Sequence, residues 1–160
     1  MDFYQSAGLL FFGSRLKRLS GMFLGDVNRI YRAHNIRFDA SWFPVFYILS
    51  AEGEVSIRYL AEQLHISHSA ASQMVSALHE KGLVKSTVSA TDARHKVVRF
   101  TAKGEKLLQK VRPVWEAIRQ SMEELTTTAA VTAQLPDALT ALEQCLQQQS
   151  VFERVNSKLL

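Results

Sequence analysis

Between Ser56 and Phe100 a helical spacing of apolar residues gives way to two strand-like runs, and this change constrains the fold more than any other feature. Ile57, Leu60, Ala61 and Leu64 fall at i, i+3, i+4 and i+7, which predicts a short helix with one apolar face and Ser56 as its N-cap. After a break at His65 and Ile66, Ser67 is placed to cap a second helix, in which Ala71, Val75 and Leu78 repeat at helical spacing. Ser69, Ala70, Ser72, Gln73 and Ser76 are left on its outward face. Gly82 follows Lys81 as a helix stop. A strand is predicted from Leu83 to Val88, then a polar turn from Ser89 to His95, then a strand from Lys96 to Phe100. Two short helices joined by a tight turn and followed at once by a hairpin make a winged helix.

At this point the residues resemble a known family, the MarR-type winged-helix transcriptional regulators. The resemblance rests on IRYLAEQLHISHSAASQMVSALHEKGLV and TDARHKVVRFTAKG, with a long amphipathic helix before them and more helix after. Asp92-Ala93-Arg94 matches the family's Asp-x-Arg wing signature, and FTAKG its strand-to-helix exit. The resemblance implies a mainly α fold with a small β-hairpin wing, forming a single domain over residues 1–160. Residues 38–103 would be the DNA-binding lobe, and 1–37 and 104–160 dimerisation helices. It implies a homodimer that occupies a pseudo-palindromic operator on double-stranded DNA, with repression the expected mode. It also implies that Arg94 enters the minor groove while Asp92 supports the wing. Taken by itself, Asp92 also reads as a turn-forming residue with no role in binding.

The chemistry of the remaining residues fits a division between positioning and reading. The start of the second helix, at Ser67, His68 and Ser69, offers backbone N–H groups and a positive dipole end to a phosphate. Gln73 is the strongest base reader, because its amide matches adenine bidentately. Ser69, Ser72 and Ser76 are less selective, Ala70 suits a thymine methyl, and His95 and Lys96 are expected at phosphates. Lys85, Arg99 and Lys103 add diffuse attraction. Charge agrees: from 58 to 103, Arg58, Lys81, Lys85, Arg94, Lys96, Arg99 and Lys103 face only Glu62, Glu80 and Asp92, so the chain's net +4 is concentrated here.

Upstream, Leu9, Phe12, Leu16, Leu19, Phe23, Val27 and Ile30 predict one long first helix ending near His34 to Arg37. Asp39 or Ser41 would cap the next, with Pro44 in its first turn. That segment is strongly aromatic and mostly core. By resemblance it also borders the family's effector site, which makes His34, Trp42, Phe43 and Phe46 candidates for holding a small aromatic or phenolic effector. Downstream, Thr101 is expected to cap a helix that Pro113 kinks or breaks. A connection is expected around 126–136, then a last helix from Ala138 to Phe152. These flanking helices carry more apolar surface than one small lobe can cover, which predicts a homodimer.

Other classes fit less well. The chain has no Gly-rich phosphate loop, no Gly-x-Ser-x-Gly elbow and no His-Glu-x-x-His, so no enzyme and no cofactor is expected. His65 and His68 lack companions for a metal site. No apolar run is long enough to cross a membrane and no leader pattern is evident, so the expected location is the cytoplasm. The lone Cys145 sits near Leu142 and Leu146 and is expected to be a buried, inert thiol; a redox-responsive regulator sensing through Cys145 is one alternative. The other is a winged helix serving protein contacts, against which the polar face from Ser69 to Ser76 argues.

Overall fold

The computed structural model describes residues 3–88 and 96–159, less the side chains of Gln5, Val88 and Lys96. The chain divides into two compact units, residues 1–114 and 115–160. In the first, α1 (Phe3–Ser6) and a 3₁₀ turn (Gly8–Phe11) precede α2 (Phe12–Ala33). A second 3₁₀ turn (Ala40–Trp42) leads into α3 (Phe43–Glu52), β1 (Glu54–Val55), α4 (Ile57–Gln63) and α5 (His68–Glu80). The strands β2 (Val84–Val88) and β3 (Lys96–Phe100) follow, and then α6 (Ala102–Thr127) begins. The architecture is mainly helical with one small antiparallel sheet in the order β1-β3-β2, as a winged helix requires.

Local chemistry sets most boundaries. The Asp39 carboxylate accepts from Ser41 N–H at 2.8 Å, and Pro44 lies in the first turn of α3. Ser56 accepts from Tyr59 N–H at 3.0 Å and opens α4. At the far end of α5, Gly82 takes φ +69°, and its N–H and that of Leu83 bond back to His79 and Leu78 carbonyls at 2.8 and 3.0 Å. This left-handed residue turns the chain straight into β2. β2 pairs with β3 from Val84↔Phe100 to Val88↔Lys96, and β1 pairs with its other edge through Val55↔Val98. The two-residue β1 was not legible in the sequence, since nothing about Glu-Val after Gly53 distinguishes a strand from a loop.

One core serves these elements. Tyr31, Val45, Phe46, Leu49, Leu60, Leu78, Val84, Val98 and Val111 are almost wholly enclosed. Phe46 stands 4.8 Å, centroid to centroid, from Phe100 and 5.0 Å from Phe38. Gly104, in the first turn of α6, lies against the backbone of Leu83 so closely that a Cβ there would come within 2.0 Å of its carbonyl oxygen. The glycine of the FTAKG exit is therefore a packing requirement.

The structure corrects three expectations about the helices. The long first helix does not extend to Leu9: Gly8 adopts φ +61° and the next residues wind as a 3₁₀ turn before α2 starts at Phe12. Pro113 does not break α6, which continues to Thr127; a proline forfeits a single i→i−4 bond, and the turns on either side keep theirs. The last helix is split. In the second unit α7 (Ala130–Ala133) and α8 (Leu135–Gln148) are followed by a separate α9 (Val151–Leu159). Ser150 Oγ accepts from Glu153 N–H at 3.2 Å while the Glu153 carboxylate accepts from Ser150 N–H at 2.8 Å. This reciprocal capping box starts a new helix, and Ser-x-x-Glu at 150–153 was its available sequence signal.

None of the described residues in 115–160 is buried. Leu135, Leu139, Val151 and Phe152 are 45%, 42%, 61% and 75% exposed. Cys145, expected to be buried, is exposed. The polar surface of the same unit carries an Arg119 guanidinium held between Glu116 and Glu123. Hydrogen bonds from Arg119 and Gln120 lower the Glu116 pKa to about 2. A lowered carboxylate contributes stability above its ordinary titration range and loses it as pH falls toward that value.

Candidate nucleic-acid interface

Helix α5 is anchored by one face and presents the other. Ala71, Val75 and Leu78 are buried, whereas His68, Ser69, Gln73 and Ser76 are exposed and Ala70 and Ser72 half-exposed. His68, Ser69, Ser72, Gln73 and Ser76 line one shallow surface groove with Ala77 and Glu80. Five of the residues named from the sequence on this helix thus share one accessible strip, and Ala70 is not among its lining residues. Ser67 closes the start of α5, its Oγ accepting from Ala70 N–H at 3.1 Å and its carbonyl from Ala71 N–H at 3.0 Å. The N–H groups of His68 and Ser69 have no intrahelical acceptor and remain available to an anion. Replacing Ser67 with Ala should lower unfolding stability by about 1 kcal/mol, read as a reduced urea midpoint; an unchanged midpoint would show that the cap contributes nothing.

The turn between α4 and α5 is set by His65, at φ +51°, with Ile66 N–H bonding to Ala61 O at 3.1 Å. His65 thereby acts in the backbone geometry of the turn. Among the described residues no three His, Cys, Asp or Glu side chains gather as a metal site. Asp92, Arg94 and His95 lie outside the described residues. Lys96 is described only as the first residue of β3.

A second feature lies on the same unit, at the opposite end of α5. A cleft of about 960 Å³ is bordered by the end of α2, the segment from Asn35 to Trp42, the α5–β2 turn and the first turns of α6. Of the aromatic and histidine residues named for an effector site, Trp42 lines it. Phe46 does not: it is fully buried in the core. Phe43 instead stacks near Tyr47 at 5.5 Å, and His34 is an exposed C-cap of α2. The sequence reading did not group the cleft's cations, Arg32, Arg37, Lys81, Lys103, Lys106 and Lys110; of these it singled out Lys103 alone, for diffuse attraction to DNA. They come from positions as far apart as 32 and 110 in the sequence, so no local pattern groups them. Lys103 also donates to Lys81 O at 2.6 Å, placing a cation on the last turn of α5 where the helix dipole favours it.

Residues 38–95 match the family model described as MarR family. No curated protein matches the chain. Among solved structures, a MarR/EmrR family transcriptional regulator from Acinetobacter sp. ADP1 is 17% identical with a TM-score of 0.68, over 93% of this chain and 100% of that one. The S. aureus MepR–DNA complex is 16% identical with a TM-score of 0.68, over 84% and 97%. CouR from Rhodococcus jostii RHA1, bound to p-coumaroyl-CoA, is 26% identical with a TM-score of 0.63, over 82% and 90%.

Proposed function

We propose that this chain, a winged helix whose residues 38–95 match the MarR family model, is a double-stranded-DNA-binding transcriptional regulator acting as a homodimer. The observation that carries the reading is the strip on α5: a helix fixed by Ala71, Val75 and Leu78 and offering Ser69, Gln73 and Ser76 outward. Such a helix enters a major groove, where Gln73 meets adenine and the Ser67–Ser69 start meets a phosphate. By the family resemblance, Arg94 is the residue assigned to the adjacent minor groove, Asp92 is the wing support, and His95 and Lys96 are assigned to phosphates. MepR, solved with DNA, supports this use of the fold.

The homodimer reading rests on the second unit, where Leu125, Leu135, Leu139, Leu146, Val151 and Phe152 are exposed. Residues 1–37 and 104–160 supply the pairing helices. An effector bound beside Trp42 and α6 would favour one spacing of the two lobes and so release the operator, repression being the mode; its influence is limited to its preference between the two states. A small aromatic effector suits Trp42, and CouR shows that a protein of this fold accommodates an aromatic acyl ligand.

Two substitutions test the DNA reading. Gln73→Ala should cost about 1 to 3 kcal/mol of discrimination at one base position of a selected duplex. Arg94→Ala should weaken binding and remove a preference for A·T-rich flanks. Fluorescence anisotropy on matched and substituted duplexes reads both, and wild-type values in both variants would contradict the interface.

A further inference from the structure

The cleft behind α5 has a charge pattern that a simple phenol would not require. Arg32, Arg37, Lys81, Lys103, Lys106 and Lys110 line it, against Asp39 as the only carboxylate on its wall among the described residues. One oxygen of Asp39 is engaged locally, its Oδ1 accepting from both the N–H and the Oγ–H of Ser41 at 2.8 and 2.6 Å. Among the described residues, none of these six cations has a carboxylate within ion-pair distance, although the chain forms such pairs elsewhere, at Arg29–Asp26 and Arg58–Glu62. Cations converging on one cleft raise its potential and concentrate anions. The same wall has an apolar part, made by Ile36, Phe38, Trp42, Leu83 and Leu107, with Phe38 and Leu83 buried. Its volume suits a ligand larger than a single ring.

We infer that this cleft binds an amphiphilic polyanion, a ligand with an aromatic or acyl group and two or more phosphate or carboxylate charges. The apolar group lies on the Trp42 and Leu107 wall, and the charges face Arg32, Arg37, Lys106 and Lys110. This deepens the effector part of the reading above. Guanidinium and ammonium groups on phosphate form strong charge-assisted hydrogen bonds, and binding a polyanion here also relieves the mutual repulsion of the cations.

Isothermal titration of the full chain with four probes tests it: benzoate, inorganic pyrophosphate, coenzyme A and benzoyl-coenzyme A. Benzoyl-coenzyme A is expected to bind at least about tenfold more tightly than any of the other three, each of which lacks one half of the match. Lys106→Gln/Lys110→Gln should lose at least about tenfold of that affinity while keeping its duplex affinity within about twofold in the absence of probe. Benzoate binding as tightly as benzoyl-coenzyme A, an unaffected double variant, or no binding of any probe would overturn the inference. So would a double variant that loses duplex affinity and keeps the probe, because the lysines would then serve the DNA backbone. Duplex binding is read in parallel. A chain that binds duplex but no probe loses this inference and keeps the DNA-binding function; one that binds benzoyl-coenzyme A but no duplex does the reverse.

Discussion

Gly104→Ala is expected to destabilise the fold by about 3 kcal/mol or more, the upper range for forcing extra volume into a packed site. The added Cβ would stand 2.0 Å from Leu83 O and 2.9 Å from the Phe100 ring. Neither neighbour is free to retreat. Leu83 O already accepts from Thr101 N–H at 3.0 Å, Leu83 N–H bonds to Leu78 O at 3.0 Å, and Phe100 packs on Phe46 within the core. Relief would require α6 to lift away from the α5–β2 turn, breaking the Thr101 cap, whose Oγ1 accepts from Gly104 N–H at 3.1 Å. Urea unfolding followed by circular dichroism measures the effect. A wild-type midpoint would mean that α6 can move off Leu83 without loss, against the packing described.

Charging the apolar stripe of α8 should have the largest effect on DNA binding. Leu135, Leu139, Leu142 and Leu146 recur at steps of four, three and four, so they share a face of α8. Leu139→Asp/Leu146→Asp would place two carboxylates on that face, where burying unpaired charge against a partner helix is strongly unfavourable. The wild type should scatter light as a dimer and this variant as a monomer. Duplex affinity should then fall by a factor on the order of 100 or more, since each lobe must bind without the other. A variant that stays dimeric and binds normally would show that this stripe does not pair the subunits.

Much of the lobe was legible because its signals are local. Ser56 and Ser67 are caps within three residues of what they cap, Gly82 stops its own helix, and the buried face of α5 follows from spacing alone. The failures share a different cause. Gly8 redirects the chain by its backbone geometry and Ser150 by a capping box with Glu153, and a hydrophobic stripe averages over both. Cys145 was expected to be buried because Leu142 and Leu146 flank it, yet spacing shows only that a face is apolar and not what covers it. The cationic cleft is a product of tertiary folding: Arg32, Arg37, Lys81 and Lys106 meet only once α2, the α5–β2 turn and α6 are in place. Phe46 and Trp42, four positions apart on neighbouring turns, read alike in sequence and separate into core and cleft for the same reason.

Selection of bound duplexes from a random pool at moderate salt, using the full chain, interrogates α5 and its pairing at once. The expected outcome is an enriched inverted repeat whose half-site centres lie about one helical turn, roughly 34 to 36 Å, apart. Recovery of bound DNA with no shared motif, or of no DNA at all, would contradict a groove-reading dimer.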